Sequence, residues 1–202
     1  MHIAIAGNIG SGKTTLANLL SQHYGWVPHY EDTENNPYLN DFYNDMPRWA
    51  FELQIYFLQT RLSKILEIRN SGKNVVQDRT VYEDAYIFAA NLHEMGLMSS
   101  RDYKNYTGIF ELMSSLISPP DLLIYLRANV STLLKQIRSR GREYEQGISP
   151  EYLTKLNVKY EKWISSYKRG KLLVLDADNL DFPNREEDMK FLTNQINSLL
   201  NF

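Results

Sequence analysis

Residues 7–15 read Gly7-Asn8-Ile9-Gly10-Ser11-Gly12-Lys13-Thr14-Thr15. A short apolar run, Ile3-Ala4-Ile5-Ala6, precedes them, and an amphipathic stretch, Leu16-Ala17-Asn18-Leu19-Leu20, follows. The order is strand, glycine loop, helix, and Gly7, Gly12, Lys13 and Thr14 fit the spacing G-x-x-x-x-G-K-[ST]. A loop that wraps polyphosphate turns its backbone N–H groups inward, which requires positive φ and no side chains in the way; glycine supplies both. The helix beginning near Lys13 adds unpaired N–H groups and a partial positive charge. All nine residues are therefore candidates for a nucleotide-phosphate cradle. Lys13 is placed to reach the β- and γ-phosphates, and the Thr14 hydroxyl to ligate Mg²⁺.

The 202 residues suffice for one well-buried α/β domain and fall short of two, so residues 1–202 are expected to form a single domain. A net charge of −2 gives no electrostatic case for a nucleic-acid or membrane partner. The absence of cysteine removes disulfides, thiolate catalysis and iron–sulfur clusters together. His2, His23, His29 and His93 lack metal-ligand spacing and read as structural or solvent-facing. No charged leader precedes the first strand and no apolar stretch approaches a membrane span, so Met1 is expected to open the working fold and the protein to be cytoplasmic.

Outward from the loop, Gly25 reads as the residue ending the first helix, and Trp26–Tyr30 as a short extended segment. That segment puts Glu31 at a strand end, where open α/β sheets bind ligands. By itself Glu31 is equally a solvated loop carboxylate, since the stretch through Pro37 is polar and turn-rich. From Arg48 to Ser71 apolar residues recur at helical steps (Trp49, Leu53, Tyr56, Phe57, Ile65, Ile68), and Gly72 closes the run. Gln54 lies beside this stripe, either as a boundary residue or as an amide that pairs with a base edge. Asn74–Gln77 is a buried strand ending at Asp78-Arg79-Thr80. Asp78 is a partner for Mg²⁺ or, alternatively, a helix cap, and Arg79 a group to hold a carboxylate or a transferring phosphate.

Residues 81–96 and 99–117 read as helices, with Pro119-Pro120 as the stop, and Leu122–Leu126 as an interior parallel strand. A helix from Ser131 becomes basic at its end, with Arg138, Arg140 and Arg142 at alternate positions around Gly141. Such a run is either a solvated helix end or a mobile flap over phosphates, and the glycine favours a lid over about residues 138–149. A helix over 149–168, a strand at Lys171–Leu175 and a closing helix over Arg185–Leu200 complete the chain. The alternation predicts an α/β three-layer sandwich of the P-loop NTPase type, with a five-stranded parallel sheet flanked by helices and an arginine-rich lid. The guanine-reading N-K-x-D motif does not occur in the sequence. A small-molecule kinase fits best. A nucleoside monophosphate kinase, with Arg48, Arg61 and Arg79 as a second phosphate set, and a non-catalytic ATP-binding regulator are the rival readings.

Four further stretches resemble one family. They are Glu31 with Asn36-Pro37-Tyr38-Leu39; Arg48-Trp49-Ala50-Phe51-Glu52-Leu53-Gln54; Asp78-Arg79-Thr80-Val81-Tyr82-Glu83-Asp84; and Arg140-Gly141-Arg142-Glu143-Tyr144-Glu145-Gln146-Gly147. In this order, with this phosphate loop, the chain resembles the deoxynucleoside kinases, most nearly the short bacterial deoxyadenosine/deoxyguanosine kinases, almost end to end. The resemblance implies transfer of the γ-phosphate of ATP to a deoxynucleoside 5′-hydroxyl in nucleotide salvage, with Mg²⁺ as cofactor. It matches Glu31 to the carboxylate that takes the hydroxyl proton and Arg79 to the arginine beside it. Asp78 matches the acidic partner of Mg²⁺. It matches Tyr43 and Glu145 to the pair on the 3′-hydroxyl, Gln54 to the base-reading amide, and Phe51 and Phe88 to aromatics around the base. Arg61 and Asp84 fall where the family tunes base preference, and Arg140 and Arg142 match lid arginines. Gln54 matches the donor–acceptor edge of adenine or cytosine, and the resemblance to the short bacterial purine enzymes makes deoxyadenosine the favoured substrate, with deoxyguanosine or deoxycytidine as alternatives. The family is usually dimeric, which implies a homodimer through helices of about residues 80–117. The chain departs from the family in having Asp78-Arg79-Thr80 for Glu-Arg-Ser, and Gln136 where some relatives carry an arginine.

Overall fold

The computed structural model describes residues 1–31 and 35–201. Five parallel strands form one sheet in the order β2-β3-β1-β4-β5: β1 (His2–Gly7), β2 (Val27–His29), β3 (Val75–Asp78), β4 (Leu122–Arg127) and β5 (Lys171–Asp176). The phosphate loop leaves the central strand. Register places Asp78 of β3 beside Ile5, and Leu126 of β4 beside Gly7, so both neighbours deliver residues to the mouth of the loop.

The period-two side-chain alternation of β1 separates two cores. Ile3 and Ile5 pack with Leu16 and Leu20 of α1 (Lys13–Tyr24) and with Leu192 and Ile196 of α9 (Glu186–Leu200). Ala4 and Ala6 face the other side. There the bulk comes from Leu123 and Tyr125 of β4, from α3 (Met46–Ser71) and α6 (Ser100–Ser114), and from Leu153, Leu156 and Tyr160 of α8 (Pro150–Ser165). The small alanines leave room for large aromatics directly beneath the loop.

The helix ends follow from capping chemistry. Gly25, Gly72 and Gly141 take left-handed conformations at the ends of α1, α3 and α7 (Val130–Arg140). Asp45 accepts a hydrogen bond from the Arg48 N–H, so α3 starts two residues before the helical periodicity does. Ser99 and Ser149 cap α6 and α8 in the same way.

Two features differ from the sequence expectations. The short helix α2 (Leu39–Asn44) was not anticipated; it buries Leu39 and Phe42, and six residues are too few to show a period. The helix expected over 81–96 is not uniform: α4 (Val81–Glu83) passes through a π-helical turn (Asp84–Ala89) into α5 (Ala90–Glu94). Apolar periodicity does not register such an insertion, and insertions of this kind recur at functional sites. Asp32, within the polar loop read after Glu31, lies outside the described residues. Among the described residues no helix is long and apolar enough to cross a membrane.

Candidate active site

One cavity lies over the carboxyl ends of β1, β2 and β3, between the phosphate loop, α2, α3 and the turn after α7. At its centre is Glu31, two residues past β2. Arg61 Nη2 donates to Glu31 Oε1 at 2.6 Å, and Arg79 Nε donates to Oε2 at 3.2 Å. Burial alone pushes the Glu31 pKa up, but the charges of Arg79, Arg61 and Lys13 outweigh it and hold the carboxyl well below its usual range. Each guanidinium also lies over an aromatic face: Arg61 over Phe57 at 5.1 Å, Arg79 over Phe88 at 4.7 Å. Arg61 is further paired through Nε with Asp84, the first residue of the π-helical turn. Arg79 is further paired with Glu83, Nη1 to Oε1 at 3.2 Å. By sequence alone Glu31 is equally a solvated loop carboxylate or a catalytic one; in the structure it lines the cavity.

The phosphate loop requires its glycines. A Cβ on Gly10, whose φ is +82°, would lie 2.8 Å from the Leu133 carbonyl oxygen and 2.9 Å from Ile137 Cγ1. Lys13 is buried, and its Nζ donates to the Asn8 carbonyl at 2.9 Å. Burial, and then the nearby charge of Arg79, pull the Lys13 pKa down to about 8 against the opposing pull of Asp78, Glu83 and Glu31. Asn8 is itself tied to α8: its Nδ2 donates to the Leu153 carbonyl at 3.0 Å and to Asn157 Oδ1 at 2.7 Å. Thr15 faces solvent on α1.

Asp78 is not a helix cap; Thr80 caps α4, in a reciprocal box with Glu83. The Thr14 hydroxyl donates to Asp78 Oδ2 at 2.5 Å, while buried Asp78 Oδ1 has no hydrogen-bond partner among the described residues. An orphaned carboxylate oxygen beside a threonine hydroxyl fits a hard cation with oxygen ligands. No group of three or more His, Cys, Asp or Glu among the described residues is disposed to hold a metal. The donor set therefore suits Mg²⁺, which keeps several waters and takes phosphate oxygens, rather than an all-protein cage.

The far end of the cavity is lined from α3 by Leu53, Gln54, Phe57 and Arg61, spaced three and four apart. Gln54 is 3 % exposed, and its Oε1 has no partner among the described residues. Phe88 lines the cavity but Phe51 does not; it packs at the edge of the core. With 3.6 residues per turn, Phe51 and Phe57 fall about 60° to opposite sides of Gln54, and the cavity lies on the Phe57 side. The α3 periodicity held that signal, since Phe57 is three residues from Gln54 and four from Arg61. Leu39, Phe42 and Tyr152 complete this wall; Leu39 ends one of the stretches that carry the resemblance, whereas neither motif nor periodicity pointed to Phe42 or Tyr152.

Tyr43, Arg140, Arg142 and Glu145 all line the cavity, with Tyr144 beside them. Arg140 is bidentate on Glu145, with Nη2 at 2.6 and 2.5 Å from Oε1 and Oε2, while the Tyr43 ring stacks on Tyr144 with centroids 5.8 Å apart. Glu145 is thus engaged by an arginine, and Tyr43 by an aromatic ring. Arg138 is exposed and off the cavity, because two residues along α7 turn it to the far side from Arg140. Arg48 is also outside: it pairs with Glu52 at 2.6 Å and lies over Trp49.

Three comparisons bear on this geometry. The family model described as deoxynucleoside kinase matches residues 3–201. A deoxyadenosine/deoxycytidine kinase of Bacillus subtilis (strain 168) is 40% identical over 200 residues, covering 98% of this chain and 92% of that one. A deoxyguanosine kinase of Lactobacillus johnsonii is 36% identical over 206 residues, covering 96% and 90%. The solved structure of deoxyadenosine kinase from M. mycoides, with products dCMP and a flexible dCDP bound, superposes with a TM-score of 0.88 at 32% identity, covering 98% of this chain and 100% of that one. The same enzyme with bound dATP gives 0.86. The phosphate loop, the arginine-held carboxylate and these matches together make the chain a member of the deoxynucleoside kinase family, ATP-dependent enzymes that phosphorylate deoxynucleosides.

Proposed function

We propose that this deoxynucleoside kinase works in cytoplasmic nucleotide salvage on deoxyadenosine first and deoxycytidine second, with Mg²⁺ as cofactor. The observation that carries the base assignment is Gln54, a buried amide on the cavity wall whose Oε1 lacks a partner among the described residues. Adenine and cytosine each present an amino donor next to a ring-nitrogen acceptor, which an amide pairs bidentately. Asp84 nearby, held by Arg61, adds a carboxylate that suits an amino group better than the carbonyl of guanine or thymine. The names of the Bacillus subtilis relative and of the M. mycoides complexes carry the same two bases.

In the transfer, a bond forms between the 5′-oxygen and Pγ while the bond from Pγ to the β,γ-bridging oxygen breaks, and ADP leaves. The hydroxyl proton goes to Glu31. Because its pKa is depressed, Glu31 is a weak base, suited to orient the hydroxyl and accept the proton late, as a loose transition state asks. Arg79 secures that carboxylate. Arg140 and Arg142, on a lid over about residues 138–149, bring charge to the transferring phosphoryl group, and Lys13 to the donor phosphates. Thr14 and Asp78 would hold Mg²⁺, which would supply positive charge to offset that of the phosphates. An acceptor that already carries a phosphate suits this site poorly, since Arg61 and Arg79 are engaged by Glu31, Asp84 and Glu83. Against a non-catalytic regulator stands the acceptor end itself, built complete beside the phosphate loop.

The homodimer is assigned to α6. Ile109 and Leu112 on α6 and Leu116, two residues past its end, are 43%, 68% and 70% exposed, with Tyr86 39% exposed on the adjoining π-helical turn. Exposed apolar surface of this kind marks an interaction site.

Three measurements test these readings. Coupled ADP release with ATP, Mg²⁺ and each deoxynucleoside should be fastest with deoxyadenosine, then deoxycytidine. Gln54→Leu should lower kcat/KM for deoxyadenosine about 10–100-fold, as expected from about 1–3 kcal/mol of lost hydrogen bonding; turnover of dAMP alone would overturn the assignment. Lys13, with a pKa of about 8 in the free site, is half-protonated near that pH, and polyphosphate raises its pKa again. Calorimetry at pH 8 in buffers of different ionisation enthalpy should therefore show net proton uptake when the ATP analogue binds, fading towards pH 6; proton release at pH 8 would contradict it. Light scattering should give a dimer mass for the native chain and a monomer mass for Leu112→Glu/Leu116→Glu; a native monomer would remove the dimer.

A further inference from the structure

Among the described residues other than glycine, only Arg79, at 68°, and Asn201, the residue capping the end of α9, have a positive φ. A residue with a Cβ enters the left-handed region only where its surroundings compel it. The compelling contacts lie behind the guanidinium, away from Glu31. Arg79 Nη1 donates to the Tyr160 hydroxyl oxygen at 3.0 Å and to Glu83 Oε1 at 3.2 Å. The Tyr160 hydroxyl in turn lies 2.8 Å from both the Gly7 carbonyl oxygen and Glu83 Oε1, and its single hydrogen is donated to one of them. Glu83 also accepts from the Gly7 N–H at 3.2 Å and, through Oε2, from the Thr80 N–H at 2.7 Å. Glu83 and Tyr160 are fully buried.

We propose that Tyr160 and Glu83 are positioning residues for phosphoryl transfer, fixing Arg79 at the acceptor end to Gly7 at the start of the phosphate loop. The two ends of the reaction come from different strands, β3 and β1, and the donor and acceptor oxygens must be aligned to a fraction of an ångström. Glu83 holds the Gly7 N–H, the Tyr160 hydroxyl lies against the Gly7 carbonyl, and both hold the rear of Arg79. Tyr160 is well suited to the task because its ring is clamped: it stacks on Tyr125 with centroids 5.6 Å apart. The same helix holds the next loop residue, since Asn157, three positions before Tyr160, accepts from Asn8 and donates to the Ala128 carbonyl. Neither Tyr160 nor Glu83 lines the cavity, so each acts through Arg79 and the loop. The inference rests on the proposed role of Arg79 at the acceptor end.

The test is a double-mutant cycle read in kcat and KM. Tyr160→Phe should lower kcat about 10–100-fold, the scale of a misplaced reacting group, with both KM values within about threefold of native. In an Arg79→Lys background, itself slow, Tyr160→Phe should cost less than about threefold more. Tyr125→Phe removes a neighbouring hydroxyl that bonds Glu161 instead, and should leave kcat unchanged. Glu83→Gln, which keeps the side-chain volume, repeats the measurement if Tyr160→Phe does not fold. A kcat within twofold of native for Tyr160→Phe, or its full loss persisting over Arg79→Lys, overturns the proposal. If Arg79→Lys itself turns over normally, the reading of Arg79 fails, and the proposal with it; if Arg79→Lys is slow and Tyr160→Phe is normal, the positioning role alone fails.

Discussion

The rest of the site depends on the two guanidinium groups that share the Glu31 carboxylate. Glu31 follows a three-residue edge strand and has no helix of its own to fix it. Its place is set by Arg61 from α3 and Arg79 from the end of β3. Each arginine carries a second carboxylate, Asp84 or Glu83, so five charged groups alternate along the cavity wall and, at Glu83, behind it. Such a chain is not built for stability, because buried ion pairs rarely outdo packed apolar groups of the same volume. Removing one member is a different matter, costing about 3–5 kcal/mol by stranding a buried charge. The arrangement keeps one carboxylate ionised and oriented.

The same logic explains why the site straddles two helical layers. The phosphate loop rises from β1, one wall of the cavity is a face of α3, and its other end is closed by α2 and the turn after α7. Arg140 is the last residue of α7, and the left-handed Gly141 turns the chain so that Arg142 and Glu145 return over the cavity. With Arg140 bidentate on Glu145, the two groups expected on phosphate and sugar satisfy each other. Each substrate must compete with that pair.

Much of this was legible in the sequence where local chemistry fixes position. The spacing of Gly7, Gly12, Lys13 and Thr14 located the loop, continuous apolar runs located the interior strands, and Gly25, Gly72 and Gly141 marked helix ends. Family resemblance gathered Tyr43, Arg61, Asp84 and Glu145, which no periodicity links. What could not be read depended on rotation and long-range contact. Phe51 and Phe57 are equivalent in composition and differ only in which side of Gln54 they occupy. The π-helical turn leaves the apolar pattern unchanged while it presents Asp84 to Arg61. Tyr160 meets Gly7 across 153 residues of sequence, a contact that no local pattern marks.

The central claim is that an arginine-held, ionised Glu31 receives the 5′-hydroxyl. The most direct measurement is single-turnover phosphoryl transfer by Glu31→Gln with saturating deoxyadenosine and ATP, alongside its affinity for an ATP analogue. The substitution keeps the volume but removes the charge and the proton acceptor, and it replaces one of the two acceptor oxygens with a donor. The account predicts a transfer rate lower by on the order of 10²–10⁴ with nucleotide affinity close to native. A transfer rate equal to that of the native enzyme would contradict it, and would make Glu31 a structural counter-ion for its two arginines.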